Sequence, residues 1–126
     1  IPYVATTFVT LRSEIAKRPQ VVGEFMHAMA EAAKIMHTDK EFTYKVLGKQ
    51  LRVSDRKILD AAYNAEIKAL EPRLMLKTEA IQAILEEVSQ VDARAKKLKP
   101  QELMDMRYVD EMEKSGFFDK IWAGKR

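Results

Sequence analysis

The chain has 126 residues, of which 47% are hydrophobic and 33% charged, and its formal net charge is +3. That length suits one ordinary domain with a core of its own, and the apolar content excludes wholesale disorder. There is no cysteine, which excludes disulfides, zinc–thiolate sites and cysteine nucleophiles, and no apolar run is long enough to cross a bilayer.

The first ten residues, IPYVATTFVT, are rich in Val, Thr, Tyr and Phe and predict a β-strand. A second strand for it to pair with is not evident in the chain. Position 1 is not Met and no signal-peptide pattern follows it, so the expectation is a trimmed or excised chain. RSEIAKRP then predicts a short turn of helix ending before Pro19, because the residue before a proline avoids helical geometry. Pro19 suits the first turn of a new helix, where its missing N–H costs nothing. That helix runs to about Met36, with Val22, Phe25, Met26, Met29, Ala33 and Met36 as its apolar face.

Thr38 and Glu41 have the spacing of a capping box, predicting a helix from about Asp39 with Phe42, Val46 and Leu47 inward. Ser54 is the expected cap of a helix over about 55–70, with Ile58, Leu59, Ala62 and Ala65 inward. Pro72 stops it. Thr78 is the expected cap of a helix to about Ser89, with Ile81, Ile84, Leu85 and Val88 inward. ARAKKLKPQELMD predicts a loop with one helical turn after Pro100. The last helix spans about Met106 to Ser115, with Gly116 as a left-handed stop, and FFDKIWAG follows as an apolar tail. No internal repeat or low-complexity segment is present.

Charge does not single out a face. Residues 1–38 carry 4 basic and 3 acidic groups, residues 39–76 carry 8 and 6, and residues 77–104 and 105–126 each carry 5 and 5. The one basic run, RAKKLK (Arg94, Lys96, Lys97, Lys99), is smaller than a nucleic-acid face needs and reads as a solvated loop. The expectation is no nucleic-acid partner.

Nor does any motif point to catalysis. His27 and His37 are ten residues apart on one helix, roughly 15 Å along its axis, and cannot share a metal. No nucleophile elbow, P-loop or HExxH motif occurs. The seven methionines follow the apolar stripes and read as packing. No catalytic residue, metal ligand or cofactor is assigned, and the chain is not expected to be an enzyme. VLGKQLRVSDRKILDAAY has the outline of a helix-turn-helix, with Arg56, Lys57 and Asn64 as candidate DNA contacts. Its turn position, however, is Arg52 rather than the usual Gly, and Asp55 and Asp60 would face phosphates. Two packed helices explain the same residues.

Several segments in order carry a more specific pattern. They include LRSEIAKRPQVVGEFMHAMAEAAKIMHTDKE, with Arg18, Pro19, Val22, Phe25, Ala28 and Ala32, then KVLGKQLRVSDRKILDAAY and LKTEAIQAILEEV. The last is MDMRYVDEMEKSGFFDKIW, with Asp105, Tyr108, Glu113, Ser115, Gly116, Phe117 and Asp119. Together they resemble the C-terminal part of bacterial ABC-importer solute-binding proteins of the sulfonate, nitrate/taurine and thiamine-precursor type. The resemblance covers nearly all of the chain.

That resemblance implies the C-terminal portion of a two-lobe α/β, periplasmic-binding-protein-like fold. The chain itself would be mainly α, with about five helices and one N-terminal strand. Residues 1–12 would be a lobe-crossing strand and residues 13–126 a helical region, within one domain or fragment. The implied function is capture of a small molecule for an ABC permease. The location would be periplasmic or extracytoplasmic, with a lipid anchor an option for the parent protein. Most of the ligand cleft would lie outside this chain. Tyr3, Thr6 and Thr7 are the candidate ligand-binding residues: an aromatic ring for stacking and two hydroxyls for hydrogen bonds. Helices that have lost their sheet expose apolar faces, so self-association is expected. The alternatives are a self-contained helical interaction domain and a helix-turn-helix regulator.

Overall fold

Pro19 opens the longest helix among the described residues. The computed structural model describes residue 4 and residues 7–124. Within these, α1 spans Arg12–Lys17, α2 Pro19–Thr38, α3 Lys40–Leu51 and α4 Arg56–Ile67. They are followed by α5 over Thr78–Val88, a 3-10 turn over Ala93–Lys97 and α6 over Pro100–Leu103. The chain closes with α7 over Arg107–Lys114 and α8 over Phe117–Trp122. The protein is mainly helical, with eight α-helices rather than about five among the described residues. None of those helices is long and apolar enough to cross a membrane.

The described residues include no strand. Most of the predicted strand, including Tyr3 and Thr6, lies outside them. Residues 7–10 lack strand pairing, and Phe8 instead sets its ring edge-on to Phe25 of α2, centroids 5.4 Å apart. An extended segment needs a neighbouring strand to satisfy its backbone, and the described part of the chain supplies a helix face in its place.

Two packing centres hold the helices. In the first, Ala30 of α2 meets Val109 and Met112 of α7 and Phe118 of α8, all at most 3% exposed. Met26, Leu74, Met106, Phe117, Ile121 and Trp122 surround them. FFDKIW is therefore not a loose tail. Gly116 takes a left-handed φ of 79°, which glycine adopts without the Cβ penalty. The chain turns there and inserts Phe118 fully into the core. In the second centre, Tyr44 of α3 packs on Leu59 and Tyr63 of α4, with Leu47, Val53 and Ile67 around them. Separately, α5 buries Ala80 and Leu85 and packs against the 3-10 turn and α6.

Three caps differ from expectation. Asp39, not Thr38, caps α3, its carboxylate accepting from the Phe42 N–H at 3.0 Å; the Thr38 hydroxyl donates back to Lys34 O at 2.8 Å. Asp55, not Ser54, caps α4, accepting from the Lys57 N–H at 2.8 Å. Thr78 is the first residue of α5, after Lys77, which makes no side-chain cap bond. Each change moves the boundary by one residue; at α3 the shift follows the ranking of Asp above Thr as a cap. The inward face of α4 also shifts. It is Leu59, Tyr63 and Ile67, while Ile58 is 56% exposed and Ala62 and Ala65 are exposed. The Tyr63 hydroxyl donates to Met36 O at 2.6 Å, and this bond to the end of α2 accompanies the turned face.

Candidate functional site

Lys40 and Tyr44 are one turn apart on α3, and Arg56 and Asp60 are one turn apart on α4. Each pair therefore projects from one side of its helix. A short turn returns the chain so that the two sides meet. Arg52 makes that turn with a left-handed φ of 55°, and the Val53 N–H closes it on Gly48 O at 3.0 Å. There is no room beside Gly48 for a side chain, since a Cβ would lie 2.8 Å from Val53 O.

The result is a clamp of four charges on two tyrosines. Tyr44 donates a short hydrogen bond to Asp60, and the Lys40 ammonium lies 3.4 Å from the same carboxylate. Arg56 grips Glu41 through two bonds of 2.9 and 2.6 Å and stacks 4.4 Å above the Tyr44 ring. Lys40 sits over both Tyr44 and Tyr63, at 5.3 and 5.4 Å. The Tyr44 hydrogen bond holds the Asp60 carboxyl below its ordinary value, and Arg56 does the same for Glu41. Burial, helped by Asp60, pushes the Tyr44 phenol up. Both carboxylates are thus ionised and already partnered, which suits fastening two helices better than proton transfer. Arg56, a candidate DNA contact, is engaged by Glu41. Lys57 and Asn64 remain exposed.

A second fastening joins the loop after α4 to the C-terminal helices. Arg73 donates to Glu113 at 3.2 and 3.0 Å and to Asp119 at 2.9 Å. These partners raise its pKa, and the guanidinium lies 5.8 Å from the Phe118 ring centroid. The histidines are both used in packing. His37 donates from Nε2 to Leu70 O at 2.9 Å and lies near Trp122. His27 stacks edge-on to Phe117 at 4.5 Å, with Glu111 3.6 Å from its Nε2. Among the described residues, no group of three or more acidic or histidine side chains is placed to hold a metal ion.

Of the predicted ligand-binding residues, Tyr3 and Thr6 lie outside the described residues. Thr7 is described and exposed, one residue before the ring that packs on Phe25. A shallow open hollow between α5 and α6 is lined by Thr78, Gln82, Glu86, Lys99 and Gln101 and was not anticipated. The Lys40–Tyr44–Asp60–Arg56 clamp was missed as well. Its sequence signal is a charged residue four positions from a partner on each of two successive helices, which says nothing until the helices are known to pair. Comparison with family models, curated proteins and solved structures finds no match.

Proposed function

We propose that the chain is the C-terminal helical part of a solute-binding protein that captures a small molecule outside the cytoplasmic membrane and delivers it to an ABC permease. The observation that carries this reading is the resemblance of those segments, whose order and spacing run through nearly all 126 residues. The mainly helical fold is compatible with it. So is the openness of the surface. The chain exposes 9571 Å², about 2,700 Å² more than a compact monomer of its size. Val46, Ile58, Val21 and Phe25 are among the apolar side chains left in water. In this reading the ligand lies in a cleft built largely by residues outside the chain, and closure about it is a hinge motion. Tyr3, Thr6 and Thr7 are the candidate ligand contacts of this reading, which involves no covalent chemistry.

The test begins with the reading frame that encodes the chain. The reading expects upstream sequence for two α/β lobes and a secretion signal; a frame that opens at Ile1 overturns it. The product of the whole frame is then titrated with sulfonates, nitrate, taurine, pyrimidines and aromatic acids by calorimetry. One class is expected to bind, and to bind only the whole product. Specific binding by the 126-residue chain alone, or by neither protein, counts against the assignment.

A further inference from the structure

We infer that the solvent face of α3 is a docking surface for an anionic lipid bilayer, with the helix lying in the plane of the headgroups. Phe42, Lys45, Val46 and Lys49 fall within an arc of about 100° on this helix. All four are exposed, Phe42 by 48% and Val46 by 40%. No other residue of α3 shares the arc, so it contains no acid. It is two stripes side by side, Phe42 with Val46 and Lys45 with Lys49, each pair one turn apart. Arg52, exposed at the turn that ends the helix, adds a third cation. The arc is flanked by Gln50 beside Val46 and by Glu41 beside Lys45, and Arg56 already holds the Glu41 carboxylate. The far side of α3 is the packed one, with Thr43 and Tyr44 buried. Neither Phe42 nor Val46 enters either packing centre. Among the described residues, Lys45, Lys49 and Arg52 make no ion pair.

The chemistry of the arc selects its occupant. A second copy of the chain would set lysine against lysine. A single-stranded nucleic acid stacks its bases on successive aromatic rings, and Phe42 is the one ring on the arc. A folded acidic partner would have to present carboxylates and an apolar hollow in register. An anionic bilayer presents both everywhere on its surface. Its phosphates meet the ammonium groups, while the acyl boundary just beneath takes Phe42 and Val46. The lysine stems can run along that apolar boundary with their charged ends at headgroup level. Such a helix lies on a membrane and does not cross it, and none of the described helices is long and apolar enough to cross. Each cation near an anionic surface is worth about fivefold in partitioning, so three give about a hundredfold preference for anionic over neutral lipid. This surface belongs to α3 itself and stands apart from the cleft of the solute-binding reading.

Co-flotation of the 126-residue chain with phosphatidylcholine vesicles, with and without about 40% phosphatidylglycerol, tests it. Binding at least about tenfold stronger to the anionic vesicles, and lost at about 0.5 M salt, is expected. Lys45→Gln with Lys49→Gln should lower the partition coefficient at least about tenfold. Lys114→Gln with Lys120→Gln removes the same charge from exposed sites on α7 and α8 and should leave it within about twofold. Because all four lysines are exposed, the far-UV circular dichroism should be unchanged. Phe42→Trp reports insertion, read as a difference from the parent chain, whose one tryptophan is Trp122. Its emission should shift to the blue on anionic vesicles and be quenched by brominated acyl chains. Equal binding to neutral and anionic vesicles overturns the proposal, as does binding to neither. So does equal weakening by the two lysine pairs, or a bound chain whose Phe42→Trp emission the brominated chains leave unquenched.

Discussion

The Arg56 guanidinium holds the Glu41 carboxylate by two hydrogen bonds while lying 4.4 Å above the Tyr44 ring. One side chain thereby joins the first turn of α3, the middle of α3 and the first turn of α4. Planar Arg can do both at once, and Lys cannot.

The clamp makes the α3–α4 pair sensitive to pH at both extremes. The Glu41 and Asp60 carboxyls titrate below their ordinary values of 4.5 and 3.8. Their contribution is present above those values and is lost as pH falls through the lower folded-state values. Tyr44 has a pKa raised above 10.0. Its contribution is present below 10.0 and is lost as pH rises through the folded-state value. Thermal melts should therefore show Tm falling below about pH 4 and again above about pH 10. In the double variant Glu41→Gln, Asp60→Asn, the acid limb should be shallower. An unchanged acid limb would show that these two carboxylates do not govern it.

Arg52 occupies left-handed backbone that costs a non-glycine residue about 1–2 kcal/mol. Its side chain is exposed. Arg52→Gly should stabilise the protein by about 0.5–1 kcal/mol, after the greater chain entropy of glycine in the unfolded state is offset. Urea unfolding measures this, and a loss of stability would contradict the backbone argument.

Two glycines in helices should respond oppositely to alanine. At Gly23 a new Cβ meets the Tyr108 ring at 3.4 Å, an ordinary contact. Gly23→Ala should gain up to about 1 kcal/mol from helix propensity. At Gly48 the Cβ would lie 2.8 Å from Val53 O. That oxygen belongs to the backbone of the α3–α4 turn and cannot swing aside. Gly48→Ala should lose about 1–2 kcal/mol, measured by the same unfolding curves.

Phe118 is fully buried where α2, α7 and α8 meet. Phe118→Ala should cost about 3–5 kcal/mol, a large part of the stability of a domain this size. Loss of the cooperative melt is the expected outcome. A variant that melts like the parent would show that the terminal helix is dispensable.

Helix positions were legible in the sequence where local chemistry sets them. Pro19, the Gly116 stop and the apolar spacing of α2 and α5 act within a few residues, so the corresponding elements stand within about two residues of expectation. Caps were less legible, because Thr38 and Asp39, or Ser54 and Asp55, are neighbours competing for one amide. The face of α4 was misread because Ile58, Ala62 and Ala65 satisfy the same periodicity as Leu59, Tyr63 and Ile67. Only the bond from Tyr63 to Met36 O and the ring packing on Tyr44 distinguish them. The predicted site fared least well in visibility, with Thr7 alone among its three residues described and lying exposed.

By itself, then, the sequence determined a mainly helical chain, the order of its long helices and a left-handed stop at Gly116. These follow from backbone sterics and periodicity, which are local. The tertiary structure alone decided that FFDKIW is a core helix, that Arg73 reaches Glu113 and Asp119 some forty residues away, and that Phe25 of α2 meets Phe8 rather than the core. Those outcomes depend on which surfaces meet. Hydrophobic burial is non-directional, so an apolar stripe names the need for a partner and leaves its identity to packing.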